Sequence, residues 1–343
     1  MRQITAIWVG NPFFQAALRD LGWRVHCVNP PQGNVLDWND LTSDAGFIPD
    51  VLIVADKSLP PFVTGVESFP CLTAFYVVDS HIHSWYPRYT QAFDLCLVSL
   101  RDHIPLFTGG RHTRETVWWS PPYAKPEDIP RPPDPEKPLW DVLFVGTVDP
   151  AVNPERRAFF QALAPLVPEL HIEHGATYRE RATYRELYPQ ATIVLNHAIA
   201  NDLNFRVFEA LGCGACLVTP LVRHGLEDLF QNGHDLFTYT QDDLPGLATL
   251  LHTLLKHPGR LKTVAAQGHA TVADGHYMHH RAETFACKVQ TLMDSGKARS
   301  LVAERLKEAR RIHAGSLRLI YLLHAETSED ESLKAAYLKA ARG

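Results

Sequence analysis

The chain has 343 residues, enough for two domains that each bury a core. Its 33 lysines and arginines against 38 aspartates and glutamates leave a net charge of −5, which excludes a protein whose whole surface binds nucleic acid. The 45% hydrophobic and 21% charged residues make an ordinary globular balance, and no apolar run reaches the length of a membrane span. Six cysteines lie mostly inside apolar runs, and the first residues lack a charged leader with an apolar segment behind it. The expectation is a cytoplasmic protein with reduced thiols and no transmembrane segment.

Residues 4–9 form a strand-like run closed by Gly10, and 13–21 carry apolar residues at helical spacing up to Gly22. Apolar runs at 25–28, 51–55, 72–78 and 95–98 continue the alternation. Strands this uniformly apolar, with helices between them, imply a parallel sheet covered on both faces. Pro121, Pro122, Pro126, Pro130, Pro132, Pro133, Pro135 and Pro138 then fall within eighteen residues, a density that no helix or central strand tolerates. This stretch is expected to be a stiff linker.

The alternation resumes with a strand at 141–145 ending at Gly146 and Thr147, a helix over 154–166 and a short strand at 170–173. A helix that is polar on one face over 178–188, a strand at 191–195, and helices over 244–255 and 260–273 follow. Residues 298–323 have an amphipathic helical pattern with Leu301, Leu306, Ile312, Leu317, Ile320 and Leu323 as the apolar positions. Arg299, Arg305, Lys307, Arg310 and Arg311 alternate there with Glu304 and Glu308, which reads as a solvated face with ion pairs along the helix. The tail from Ser328 is acidic at first and is expected to fray. The fold class is α/β, with two halves that repeat an architecture and not a sequence.

The most informative segment is Asn204-Phe205-Arg206-Val207-Phe208-Glu209-Ala210-Leu211-Gly212. It starts a helix after the strand at 191–195, with Asn204 and Arg206 in its first turn and Glu209 one turn later. Free amides and the helix dipole favour an anion at that end. A guanidinium adds a planar fork of donors for phosphate, and a carboxylate can accept both hydroxyls of a ribose.

The pattern N-x-R-x-F-E-A-x-x-x-G resembles the donor-site helix of GT-B glycosyltransferases. The likeness is greatest to the spore-maturation (CgeB-like) group, distant relatives of the retaining enzymes of glycosyltransferase family four. Asp79-Ser80-His81 with Trp85, Tyr89, Phe93-Asp94 and Pro105 resembles their N-terminal domain, and the segment from Tyr277 to Ala282 resembles the start of their C-terminal helices. The resemblance implies two Rossmann-like domains with parallel sheets facing a cleft, plus C-terminal helices. It places an acceptor domain at 1–122, the linker at 123–138, the donor domain at 139–275 and the helices at 276–343.

The resemblance also assigns roles. Glu209 holds the ribose, Arg206 the diphosphate, and Asn204 the phosphate or donor sugar. Gly146 and Thr147 face the phosphates, Arg156 reaches the leaving diphosphate, and Tyr178 stacks on the base. His81 touches the donor sugar or acts as base or orienting group for the acceptor. Asp79 fixes the tautomer of His81 or binds acceptor hydroxyls. Family four enzymes carry another glutamate eight positions before the ribose glutamate; this chain has Asn201 there. The implied activity is a metal-independent, retaining transfer from a nucleotide-diphosphate sugar, with UDP as the carrier. The acceptor, a polysaccharide, protein, lipid carrier or small molecule, is left open, as is the oligomeric state.

Two other readings stand beside it. Asp79, His81 and His83 after an apolar strand also suit a metal-dependent amidohydrolase, which needs a single barrel of eight strand-helix units. A non-catalytic GT-B protein that binds nucleotide without turnover fits the same pattern. Cys213-x-x-Cys216 has no second pair to complete a zinc site and reads as core packing, and neither a Walker loop nor G-x-G-x-x-G is present.

Overall fold

A computed structural model describes residues 3–131, 138–173 and 184–343. The chain divides into two compact units, Met1–Pro121 with His279–Gly343, and Pro122–Met278.

The first unit is built on strands β1 (Thr5–Gly10), β2 (Arg24–Val28), β3 (Val51–Ala55), β4 (Leu72–Val77), β5 (Leu95–Val98) and β6 (Val117–Trp119). They lie in the order β2-β1-β3-β4-β5-β6, and every neighbouring pair is parallel. Strands β3, β4 and β5 are buried along their whole length, which is why their sequences read as unbroken apolar runs. At three residues, β6 carries too short a pattern to be predicted. So does the capped helix Trp38–Ala45, whose single buried residue is Leu41.

The C-terminal helices complete this unit's core. Ile312, Leu317, Ile320, Tyr321, Ala325 and Tyr337 join Ile7, Leu52, Val54, Phe75 and Val98 in one apolar cluster. The single amphipathic helix expected over 298–323 is instead two, Lys297–Ile312 and Arg318–Thr327, with the π-helical turn His313–Leu317 between them. Leu306, in the helix before that turn, and Leu323, in the helix after it, are exposed and not part of the core. Arg305 corrects the expectation of a solvated face. It is 0% exposed, with Nε donating to Asp94 Oδ1 at 2.9 Å and its Nη atoms donating to the carbonyls of Val66, Phe69 and Cys71 at 2.7–2.9 Å. Nor does the tail fray. Asp330 caps the helix Glu331–Ala340, and the buried Tyr337 donates its hydroxyl to the Pro61 carbonyl at 2.9 Å.

The second unit holds β7 (Trp140–Val145), β8 (Leu170–Glu173), β9 (Ala191–Leu195), β10 (Leu217–Pro220) and β11 (Phe237–Tyr239). Their order is β11-β10-β9-β7-β8, again with all pairs parallel. Described residues of the expected linker belong to this unit. Ala124 N–H donates to the His276 carbonyl at 2.9 Å, and Met278 N–H donates back to Ala124 at 2.8 Å. Asp128, 0% exposed, accepts from Lys125 N–H at 2.7 Å and from the Tyr184 hydroxyl at 2.8 Å. A buried, fully hydrogen-bonded carboxylate fixes the segment where proline alone suggested a spacer. Two open parallel sheets also contradict the barrel that the amidohydrolase reading requires.

Candidate functional site

In the second unit the chain runs from β7 to β8 on one side, then returns to β9 on the other. The carboxyl ends of β7 and β9 therefore flank a topological switch point, where open α/β sheets collect ligands. Gly146 follows β7, Asn196 follows β9, and the helix Phe205–Gly212 brings Arg206 between them.

Arg206 Nη1 donates to Asn196 Oδ1 at 2.7 Å, and its guanidinium lies 4.9 Å above the Phe144 ring. Gly146 has φ of 153°, and a Cβ there would stand 2.8 Å from Arg206 Nη2 and 3.1 Å from Phe144 Cζ. The glycine thus makes room for the guanidinium itself. Asn196 and Asn204 exchange side-chain amide hydrogen bonds at 3.3 Å, and Asn196 Nδ2 donates to Thr219 Oγ1 at 3.0 Å. The Tyr239 hydroxyl donates to the Asn196 carbonyl at 2.8 Å. With its amide engaged this way, Asn204 makes no side-chain cap on the helix it precedes. In the first turn the Val207 N–H donates to the Asn204 carbonyl at 3.3 Å.

Arg156 comes from the helix Pro154–Leu163, which Asn153 caps. Its Nη1 donates to the Thr147 carbonyl at 3.1 Å, and its guanidinium is 5.6 Å from the same Phe144 ring. Thr147 therefore contributes main chain, while its neighbour Arg157 is exposed. The Nε of Arg156 is buried without a partner among the described residues. Burial, and then the positive Arg206, lower its pKa to about 10. His197, buried against Phe159 at 4.4 Å, is held neutral by burial and by Arg156 and Arg206, with its pKa lowered to about 4. Two guanidiniums packed on the same aromatic ring and repelling each other can meet a multiply charged anion.

Glu209 is partly buried one turn along the helix. Burial raises its pKa, Arg206 pulls it down without forming an ion pair, and Asp128 pushes it up. The Tyr184 hydroxyl borders it and joins it to Asp128, which Arg185 Nε reaches at 2.6 Å. Asn201 and Ala200 have φ of 59° and 50°. The left-handed backbone at 201 suits asparagine better than the glutamate of family four. Tyr178 lies outside the described residues.

In the first unit the switch point lies between β1 and β3. Gly10 ends β1 with φ of 108°, and a Cβ there would meet the Ala55 carbonyl oxygen at 2.1 Å. Asn11 Nδ2 bridges to the Asp56 carbonyl at 2.8 Å. The buried Asp56 carboxylate accepts from the backbone N–H of Ser58, Val78 and Asp79 and from the Tyr86 hydroxyl. It thereby anchors the loop after β4 that carries Asp79 and His81. Asp79 Oδ2 accepts from Ser58 Oγ at 2.5 Å. No hydrogen bond joins Asp79 to His81, whose Nδ1 is buried without a partner among the described residues, so Asp79 does not set that ring's tautomer. His103, hydrogen-bonded through Nδ1 to Ser80 Oγ at 2.9 Å, is the second imidazole here, and His81 helps lower its pKa after burial. His83 turns elsewhere and stacks on Trp85 at 5.3 Å.

Asn196, Phe144, His197, Asp128, Asp56 and His103 were not singled out as site residues in the sequence. Only Asn196 and His197 carried a usable signal, as polar residues at the end of an apolar strand.

Residues 156–286 match the model of a family described as glycosyl transferase-like, a span that includes Arg156, Asn204, Arg206 and Glu209. A comparison of the sequence with curated proteins finds no match. Among solved structures, the chain is similar to HepE from Anabaena in complex with UDP and glucose, with TM-score 0.55 and 12% identity over 84% of this chain and 100% of that one. It is also similar to a glycosyltransferase from Rickettsia africae, with TM-score 0.59 and 8% identity over 85% and 99% of the two chains. A third is sucrose-phosphate synthase from Thermosynechococcus elongatus, with TM-score 0.56 and 12% identity over 86% and 100%. The fold is therefore that of GT-B glycosyltransferases: two parallel-sheet α/β domains with C-terminal helices.

Proposed function

We propose that this protein is a glycosyltransferase of the CgeB-like group that moves a sugar from a nucleotide-diphosphate donor, with UDP as the carrier, to an acceptor. The observation that carries the reading is the pair Arg156 and Arg206 on the Phe144 ring at the switch point, with most of their donors unspent among the described residues. Glu209 takes the ribose, and Asn204 meets the phosphates or the donor sugar. The likeness to HepE, solved in complex with UDP and glucose, supports a nucleotide-sugar donor. The reaction is displacement at the anomeric carbon, in which negative charge grows on the departing diphosphate. Two preorganised guanidiniums stabilise that charge, so we assign no metal to the step. His81 orients the acceptor hydroxyl or takes its proton, and the family-four likeness assigns a retaining outcome.

The test is calorimetry with UDP, followed by UDP release from UDP-glucose with and without a chelator. Binding of UDP that is lost in both Arg206→Ala and Glu209→Ala is the expected result. No heat with UDP or any other nucleoside diphosphate sinks the donor site. Loss of turnover on chelation sinks the metal-free step. His81→Ala is expected to lower turnover with donor affinity kept; binding without turnover in the wild type across acceptors identifies a nucleotide-binding protein instead.

A further inference from the structure

One face of the helix Arg318–Thr327 is turned away from the first unit's core and carries Arg318, Leu319, Leu322, Leu323 and Glu326. Its three leucines are 60%, 39% and 48% exposed, while Ile320, Tyr321 and Ala325 are buried on the other side. Leu338 of the adjacent helix is 38% exposed and lines a cavity of about 460 Å³ with Leu322, Arg318 and Arg342. Exposed leucines clustered within a polar rim mark an interaction surface.

The charges decide what covers it. Between His313 and Gly343, the basic residues Arg318, Lys334, Lys339 and Arg342 are balanced by Glu326, Glu329, Asp330 and Glu331. A segment balanced in this way has no general pull on an acidic membrane or a basic segment. It does have order along the helix axis: Arg318 stands at one end and Glu326 at the other, neither in an ion pair among the described residues. Leu322 is four positions from each. Glu326 also opposes the helix dipole, which prefers base near the end.

We propose that this face is a two-fold self-association surface whose occupant is the same face of a second copy of the chain. An axis through Leu322 lays the two helices antiparallel and stacks Leu322 on Leu322. It sets Arg318 opposite Glu326 twice, as an isologous contact demands. Leu319, Leu323 and Leu338 widen the apolar centre. The inference does not depend on the catalytic reading.

Sedimentation equilibrium of the full chain tests it. The wild type is expected to dimerise reversibly. Arg318→Glu and Glu326→Arg should each weaken the dimer by roughly tenfold or more, because each turns two attractive contacts into repulsive ones. The double variant carrying both changes should recover it, and Leu322→Asp should abolish it. Circular dichroism melting checks that each variant stays folded; the three positions are exposed, and a poorly folded Leu322 variant leaves the charge swap to decide. A wild type that stays monomeric, a dimer indifferent to these changes, or a double variant as weak as the singles overturns the proposal.

Discussion

Arg305 and the pair Arg156 and Arg206 are cations fixed by folding, yet they end in opposite conditions. Arg305 has its Nε on Asp94 and its remaining nitrogens on three backbone carbonyls, all within 2.9 Å. Four of its five N–H donors are engaged inside the first unit. Among the described residues, the side chain of Arg206 makes one hydrogen bond, to Asn196, and that of Arg156 makes one, to Thr147. Both rest on an aromatic ring, a weakly hydrated seat that holds a guanidinium without consuming its donors. Whether an arginine is structural or ready for a ligand is thus a question of how many donors the fold has left unanswered, not of how deeply it is buried.

This contrast yields graded expectations. Arg305→Met leaves Asp94 buried with only Arg111, 3.6 Å away, as a cationic partner. It should lower the unfolding free energy by about 3–5 kcal/mol in urea titrations, and a loss within experimental error breaks the comparison from its structural side. Arg206→Ala should weaken UDP binding by roughly 10- to 100-fold, the worth of a charged hydrogen bond, with little change in ligand-free stability. Arg156→Ala should weaken UDP binding by about tenfold and leave the ligand-free melting temperature equal or higher, because a like charge is removed. A large fall in that temperature would show that Arg156 belongs with Arg305.

The smallest effect is on pH dependence. The folded state holds His197 near a pKa of about 4, below its ordinary value of 6.5. At neutral pH both folded and unfolded forms are deprotonated, so nothing is lost. As pH falls from 6.5 towards about 4, the unfolded chain binds a proton that the folded chain refuses, and stability drops. His197→Phe should flatten this window relative to the wild type, by at most about 1.4 kcal/mol per pH unit. Parallel curves would mean that burial and the two arginines do not hold this ring's pKa down.

Much of the architecture could be read in advance. Val51–Ala55 and the run through Phe144 are apolar on both faces, and that pattern follows directly from burial in a parallel sheet. Asn204, Arg206 and Glu209 were found because they lie on one short helix, where spacing in sequence is spacing in space. Arg305 was misread because Glu304 and Glu308 beside it imitate a solvated helix, while its actual partner, Asp94, is 211 residues away. Asp128 was hidden in the same manner. It sits among prolines, and Tyr184 and Arg185, which give it meaning, lie 56 and 57 residues downstream. Phe144 looked like any core strand residue until two distant arginines converged above it.

The path of the chain between its two units has a further consequence. The first unit's sheet is made from residues before 121, but its apolar cluster is closed by Ile312, Ile320, Tyr321 and Tyr337. During translation, six apolar strands must wait until some two hundred later residues have left the ribosome, whereas Pro122–Met278 emerges as one uninterrupted block. The block that carries the arginine pair can settle first. The earlier-born sheet stays sticky until the last helices arrive, and it is the half of the molecule that most needs a chaperone's protection.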